Sequence, residues 1–201
     1  RIHQVIPHAK IIVTIREQRS LLVSMYKHHI RQSHNGYSPD EYLNSNDGIA
    51  FLNTLFFADL YKQIVTFFPP ENVYFFMLEE LQADFPGFIR SFYQKVFQLE
   101  PPLNIQPTAE NKGLNDTQMI WKRRLNRVYL FREKSILNNV EHSLHQIPLT
   151  AIYKLFEGKT KKSIDFGDFS ISSQLADEFR KNNKELEHLT GLPLADFKYL
   201  I

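Results

Sequence analysis

Two short apolar runs constrain this chain more than anything else in it: KIIVTIR at residues 10–16 and NVYFFML at residues 72–78. Both are rich in β-branched or aromatic residues, and neither shows helical periodicity. The residues between them do carry a helical pattern. Strand, helix and strand in that order imply a parallel pair joined by a right-handed crossover, because antiparallel neighbours need no helix between them. The unbroken apolar character of the first run further predicts a strand covered on both faces. The fold class is therefore α/β.

Helical spacing continues around this frame. Leu22, Met25, Tyr26 and His29 recur at helical intervals and predict a helix over 20–30. The pattern breaks over 32–36. Ser38, Pro39 and Glu41 then stand where an N-cap, a first helical residue and a capping-box partner belong. Apolar residues from Phe51 to Phe67 predict one long buried helix over 47–68, stopped by Pro69 and Pro70. Phe85 and Pro86 open another helix, which ends near Leu99. Residues 118–134 and 174–189 read as helices, so the last third is helical, and 158–173 is a polar connection. The opening residues 1–7 read as the tail of a helix, which suggests that something precedes them. No repeat or low-complexity linker is evident, and 201 residues with 43% hydrophobic content suit a single domain over 1–201.

Charge and cysteine narrow the function classes. The net charge is +2, with basic residues spread along the chain, which argues against a nucleic-acid binder. There are no cysteines, which removes disulfides and thiolate metal sites. No run is long and apolar enough for a membrane span, and a cytoplasmic setting is the mild expectation.

The chemistry gathers at Arg16. In an open parallel sheet, ligands sit beyond the carboxyl ends of the strands, where helix N-termini favour anions. Arg16 stands at that end, and Ser24 follows eight residues later, so a guanidinium and a hydroxyl could close on one phosphate. The plain alternative is an Arg16–carboxylate pair and a Ser24 that is merely a small helix residue.

KIIVTIR followed after seven residues by Ser24, Met25 and Tyr26 resembles the 3′-phosphate-binding motif of sulfotransferases. FFPPENV at 67–73 and LEELQAD at 78–84 resemble that family's next conserved stretch, and FRKNNKELEHLTGLPL at 179–194 resembles the closing helix of bacterial and Golgi-type members. The resemblance implies a P-loop-NTPase-like parallel sheet flanked by helices. It also implies 3′-phosphoadenosine-5′-phosphosulfate (PAPS) as donor, with Arg16 and Ser24 on its 3′-phosphate. Some members place a Lys-Gly loop against the nucleotide, which maps onto Lys112 and Gly113; a polar turn is the alternative. Two departures stand out: Glu17 and Gln18 replace the usual Asn-Pro, and Leu78 replaces a Tyr. The family's 5′-phosphosulfate loop is not seen and is expected upstream of Arg1, which makes the fold N-terminally incomplete. The loss of its strand would bare a sheet edge and predicts poor solubility. The usual catalytic base also falls in that region, so no catalytic residue is assigned.

Other signals carry less. Gly158, Lys159 and Thr160 resemble the end of a P-loop, but Tyr153 stands where its first Gly belongs. His28, His29 and His34 are placed to meet an acceptor, though core or surface histidines explain them as well. Glu141, His142 and His145 lack a third metal ligand, and no metal is expected. Lys122, Arg123, Arg124 and Arg127 could attract an acidic glycan or simply form a solvated helix face. Asn115 begins a glycosylation sequon from which nothing follows. The loop over 33–47 and the segment after Gly158 are the candidates for acceptor contacts. The expected activity is sulfuryl transfer from PAPS to a hydroxyl or amine, and the rival is a non-catalytic scaffold that keeps the fold.

Overall fold

The computed structural model describes residues 2–32, 36–102, 104–107, 116–133 and 169–201. In chain order its elements are α1 (Ile2–Val5), β1 (Ile11–Ile15), α2 (Gln18–Gln32), α3 (Pro39–Leu43), α4 (Asn46–Asn53), α5 (Phe57–Val65), β2 (Val73–Met77), α6 (Leu78–Ala83), α7 (Phe85–Phe97), α8 (Asp116–Glu133) and α9 (Ser173–Thr190). Short 3-10 turns lie at Pro70–Asn72 and Leu194–Phe197. The chain divides into two compact units. One comprises Arg1–Gln18, Ala50–Ala109 and Ile171–Ile201; the other comprises Arg19–Ile49 and Glu110–Ser170.

The first unit is built on the predicted parallel pair. β1 and β2 run in step, from Ile11 opposite Val73 to Ile15 opposite Met77. Successive strand residues face opposite ways, and β2 uses both faces. Phe75 meets Tyr61 of α5 edge-on at 5.6 Å, while Phe76 meets Phe88 and Phe92 of α7 at 5.6 and 5.2 Å. Helices therefore cover β2 on both sides, and Phe75, Phe76 and Met77 are buried. β1 departs from expectation. Ile15 is buried, but Thr14 is exposed and Ile12 is 43% exposed, so the strand is covered on one face only. Ile12 and Thr14 share the face of Phe76. There Lys10, on the same parity, reaches the carbonyl of Val96 at the end of α7.

The expected long helix over 47–68 is two helices. Thr54 turns its hydroxyl back onto the Phe51 carbonyl at 2.7 Å, and Leu55 N–H bonds the Leu52 carbonyl. A β-branched hydroxyl that competes for the backbone favours such a break. α5 then restarts at Phe57 with no cap from its own Phe56. Its N-terminus is satisfied from afar, because the buried Asn182 of α9 accepts from Ala58 N–H at 2.9 Å. Phe56 packs on Phe179 at 5.1 Å, and Lys62 pairs with Glu185 at 2.6 Å, which completes the α5–α9 seam. α7 begins as predicted: Asp84 accepts from Gly87 N–H at 3.0 Å, with Pro86 in the first turn.

In the second unit, α2 buries Leu22, Tyr26 and Ile30, which recur every four residues along one stripe. The capping box at α3 forms as its sequence requires, with Ser38 and Glu41 exchanging bonds. α8 is pinned by its polar residues. Arg123 donates to the Tyr26 hydroxyl at 3.1 Å, Asn126 to the Ile30 carbonyl at 3.1 Å, and Arg127 to the Gly36 carbonyl at 3.0 Å and to Glu41. Gly36 lies so close to α8 that a Cβ there would sit 2.6 Å from the Arg127 backbone nitrogen, so the contact requires glycine.

Candidate functional site at the carboxyl end of the sheet

β1 ends at Ile15, and Arg16 follows directly, half-buried, before the buried pair Glu17 and Gln18. Among the described residues, Arg16 makes no ion pair or hydrogen bond through its guanidinium. The alternative in which Arg16 pairs with a carboxylate finds no support in these contacts. A half-buried, unpaired cation beyond the carboxyl end of a parallel strand has the chemistry of an anion ligand.

The backbone beside Arg16 is held tightly by carboxylate and amide groups. β2 runs straight into α6, which places Glu79 in the first turn after the strand. One Glu79 oxygen accepts from Glu17 N–H at 2.9 Å, and the other accepts from the Tyr199 hydroxyl at 3.0 Å. Burial, and then the Glu79 carboxylate, push the Tyr199 phenol far up from its ordinary value, so the hydroxyl keeps its proton and remains the donor. One residue further on, the Gln18 and Asn183 amides bond each other reciprocally at 2.5 and 3.2 Å, and Asn183 also donates to the Leu200 carbonyl at 2.8 Å. Residues 199 and 200 are thereby fastened to the two positions that follow Arg16.

The sequence reading missed this network. Glu79 lay within a quoted motif, and the adjacent asparagines of α9 were visible, but their partners are remote in the chain.

Ser24 lies in the second unit, half-buried at the seventh position of α2. Lys112 and Gly113 fall outside the described residues, as do His34, the Glu141–His145 group, Asn115 and residues 158–168. His29 is an interior side chain. It stacks on Tyr37 at 6.2 Å, tilts against Tyr42 at 4.9 Å and lies 3.8 Å from the Asp47 carboxylate. Burial lowers its pKa, Asp47 opposes that shift and His28 adds to it. In the basic stretch of α8, Arg123 and the exposed Arg127 donate to groups of the fold, Arg124 sits over the Trp121 ring at 5.2 Å, and burial lowers the pKa of Lys122. The stretch is not a simple solvated face. Among the described residues, no group of three or more His, Asp or Glu side chains is arranged to hold a metal, and no helix is long and apolar enough to cross a membrane.

Comparison with known families turns on the segment that contains β1, Arg16, Ser24, β2 and Glu79. Residues 3–99 match the family model described as the sulfotransferase domain. Over these residues, just under half of the chain, the sequence is similar to that family. No curated protein and no solved structure gives a match to set beside it. The sulfotransferase domain supports a sulfotransferase activity in general, the transfer of a sulfuryl group from a donor to an acceptor. The match covers both residues that the sequence reading placed on a phosphate, Arg16 and Ser24, and stops short of α8, α9 and the Tyr199 end of the network.

Proposed function

We propose that this protein transfers a sulfuryl group from PAPS to a hydroxyl or amine acceptor, with Arg16 and Ser24 as ligands of the donor's 3′-phosphate. The observation that carries the reading is the half-buried guanidinium of Arg16, without a carboxylate partner among the described residues, directly past β1 in the stretch similar to the sulfotransferase domain. The residues present suit the donor. Arg16 offers the planar fork that grips phosphate oxygens in pairs, and the Ser24 hydroxyl adds a neutral donor that leaves the phosphate charge to the guanidinium.

A 3′-phosphate is remote from the bond that breaks. In sulfuryl transfer the acceptor oxygen or nitrogen attacks sulfur in line, the bond from sulfur to the leaving phosphate oxygen breaks, and the acceptor gives up its proton. Arg16 and Ser24 act in this scheme by alignment, using binding energy far from sulfur to fix the donor for attack.

The test is calorimetric titration of adenosine 3′,5′-bisphosphate into the chain and its Arg16→Ala variant, with 5′-AMP as a control that lacks the 3′-phosphate. A charge-assisted bond of roughly 1.5–3 kcal/mol predicts that the bisphosphate binds at least about tenfold tighter than 5′-AMP, and that Arg16→Ala abolishes the difference. Equal binding of the two nucleotides to the unaltered chain would overturn the reading.

A further inference from the structure

We propose that Glu79 and Tyr199 are positioning residues for Arg16, holding its backbone so that the guanidinium presents to the donor's phosphate monoester. The inference rests on the reading of Arg16 as a phosphate ligand and extends it to residues far away in the chain.

The case begins with the peptide plane. The Glu17 N–H and the Arg16 carbonyl belong to one rigid unit, so an anchor on that N–H fixes the backbone angle at Arg16. The anchor is Glu79 Oε1, at 2.9 Å. Arg16 has no side-chain partner of its own among the described residues, so its backbone and packing alone set the direction of its side chain. Glu79 must in turn be held. Its other oxygen is occupied by the Tyr199 hydroxyl at 3.0 Å, and Tyr199 is 4% exposed. The adjacent Leu200 is tied by its carbonyl to Asn183, whose amide is paired with Gln18. A continuous run of hydrogen bonds therefore leads from α9 through residues 199–200 and Glu79 to the peptide that follows Arg16. Every member of it lies in the first unit.

The other groups near Glu79 favour positioning over direct chemistry. Both of its oxygens accept hydrogen bonds from within the fold, which fits a positioning role. Tyr199 is buried and keeps its proton, so it donates constantly.

The experiment is a double-mutant cycle read by nucleotide titration. Tyr199→Phe removes one hydroxyl with almost no change in volume. It should weaken adenosine 3′,5′-bisphosphate binding roughly three- to tenfold, the range for one hydrogen bond, and leave 5′-AMP binding unchanged. In the Arg16→Ala background, Tyr199→Phe should have no further effect, because the residue through which it acts is gone. Glu79→Gln, which keeps one acceptor oxygen and turns the other into a donor, should give the same pattern and serves if Tyr199→Phe does not fold. If the unaltered chain shows no preference for the 3′-phosphate, the donor reading fails and this inference goes with it. If that preference exists and depends on Arg16, but the Tyr199 and Glu79 variants weaken both nucleotides alike or act equally without Arg16, the donor reading stands and the positioning role is refuted.

Discussion

Asn183 is fully buried, and its whole amide is spent: the oxygen accepts from Gln18, and the nitrogen donates to Gln18 and to the Leu200 carbonyl. Its partner Gln18 is 1% exposed. Truncating one side of such a pair leaves the other amide dry and unbonded, which costs more than the net value of the bonds themselves. Asn183→Ala should lower unfolding free energy by about 2–4 kcal/mol, read from the shift of a urea midpoint at unchanged slope. A loss under about 0.5 kcal/mol would mean that the paired amides do not hold this region. At this scale the sequence was half legible. The place of Arg16 just past β1 was legible because strand ends show in the hydrophobic pattern. The residues bonded beside it were not, since Glu79 binds a partner 62 positions earlier and another 120 positions later, and no local pattern encodes such distances.

Among the elements, the long stretch over 47–68 shows where periodicity misleads. Its apolar spacing continues through Asn53 and Thr54, yet the backbone breaks there and α5 starts anew. Spacing reports which faces are buried, and says less about whether the backbone hydrogen bonds run unbroken. The new helix is viable because Asn182 supplies the acceptor that its own N-cap, Phe56, lacks. Removing that acceptor strands the Ala58 N–H in a buried place. Asn182→Ala should therefore cost about 1–2 kcal/mol and raise the hydrogen-exchange rate of the Ala58 amide above its value in the unaltered chain. Unchanged protection at Ala58 would show that α5 is capped by something else. The capping box of α3 and the proline signals of α3 and α7, by contrast, were legible because they lie within the first turn of each helix. The face of β1 that carries Ile12 and Thr14 was misjudged for a related reason: a β-branched run marks a strand, but its cover is decided by helices elsewhere in the chain.

For the molecule as a whole, the α/β class and the likeness of residues 3–99 to the sulfotransferase domain were readable, because strand runs and a strand-end arginine are local signals. The bonds that secure them were not, because Asn182, Asn183 and Tyr199 all lie beyond that segment. Stability against acid is a property of the whole chain, and here the second unit sets its sign. His29 has its pKa lowered from the ordinary 6.5, first by burial, with Asp47 opposing and His28 assisting; Tyr37 and Tyr42 are the rings packed against it. A histidine with a depressed folded value binds protons more weakly when folded than when unfolded. Between those two values the unfolded chain holds more protons, so unfolding free energy rises with pH. The favourable state is present in full above 6.5 and is lost as pH falls below it. Glu41 acts in the same direction at lower pH: its pKa is lowered from 4.5, chiefly by the Ser38 backbone bond, so its contribution fades as the carboxylate protonates. The chain should therefore lose stability on going from about pH 7.5 to about pH 5.5, and His29→Gln should flatten that slope even if it lowers stability overall. Urea midpoints measured at both pH values for the two proteins check this. Parallel slopes would show that Asp47 cancels the effect of burial and that His29 titrates as it does in the unfolded chain.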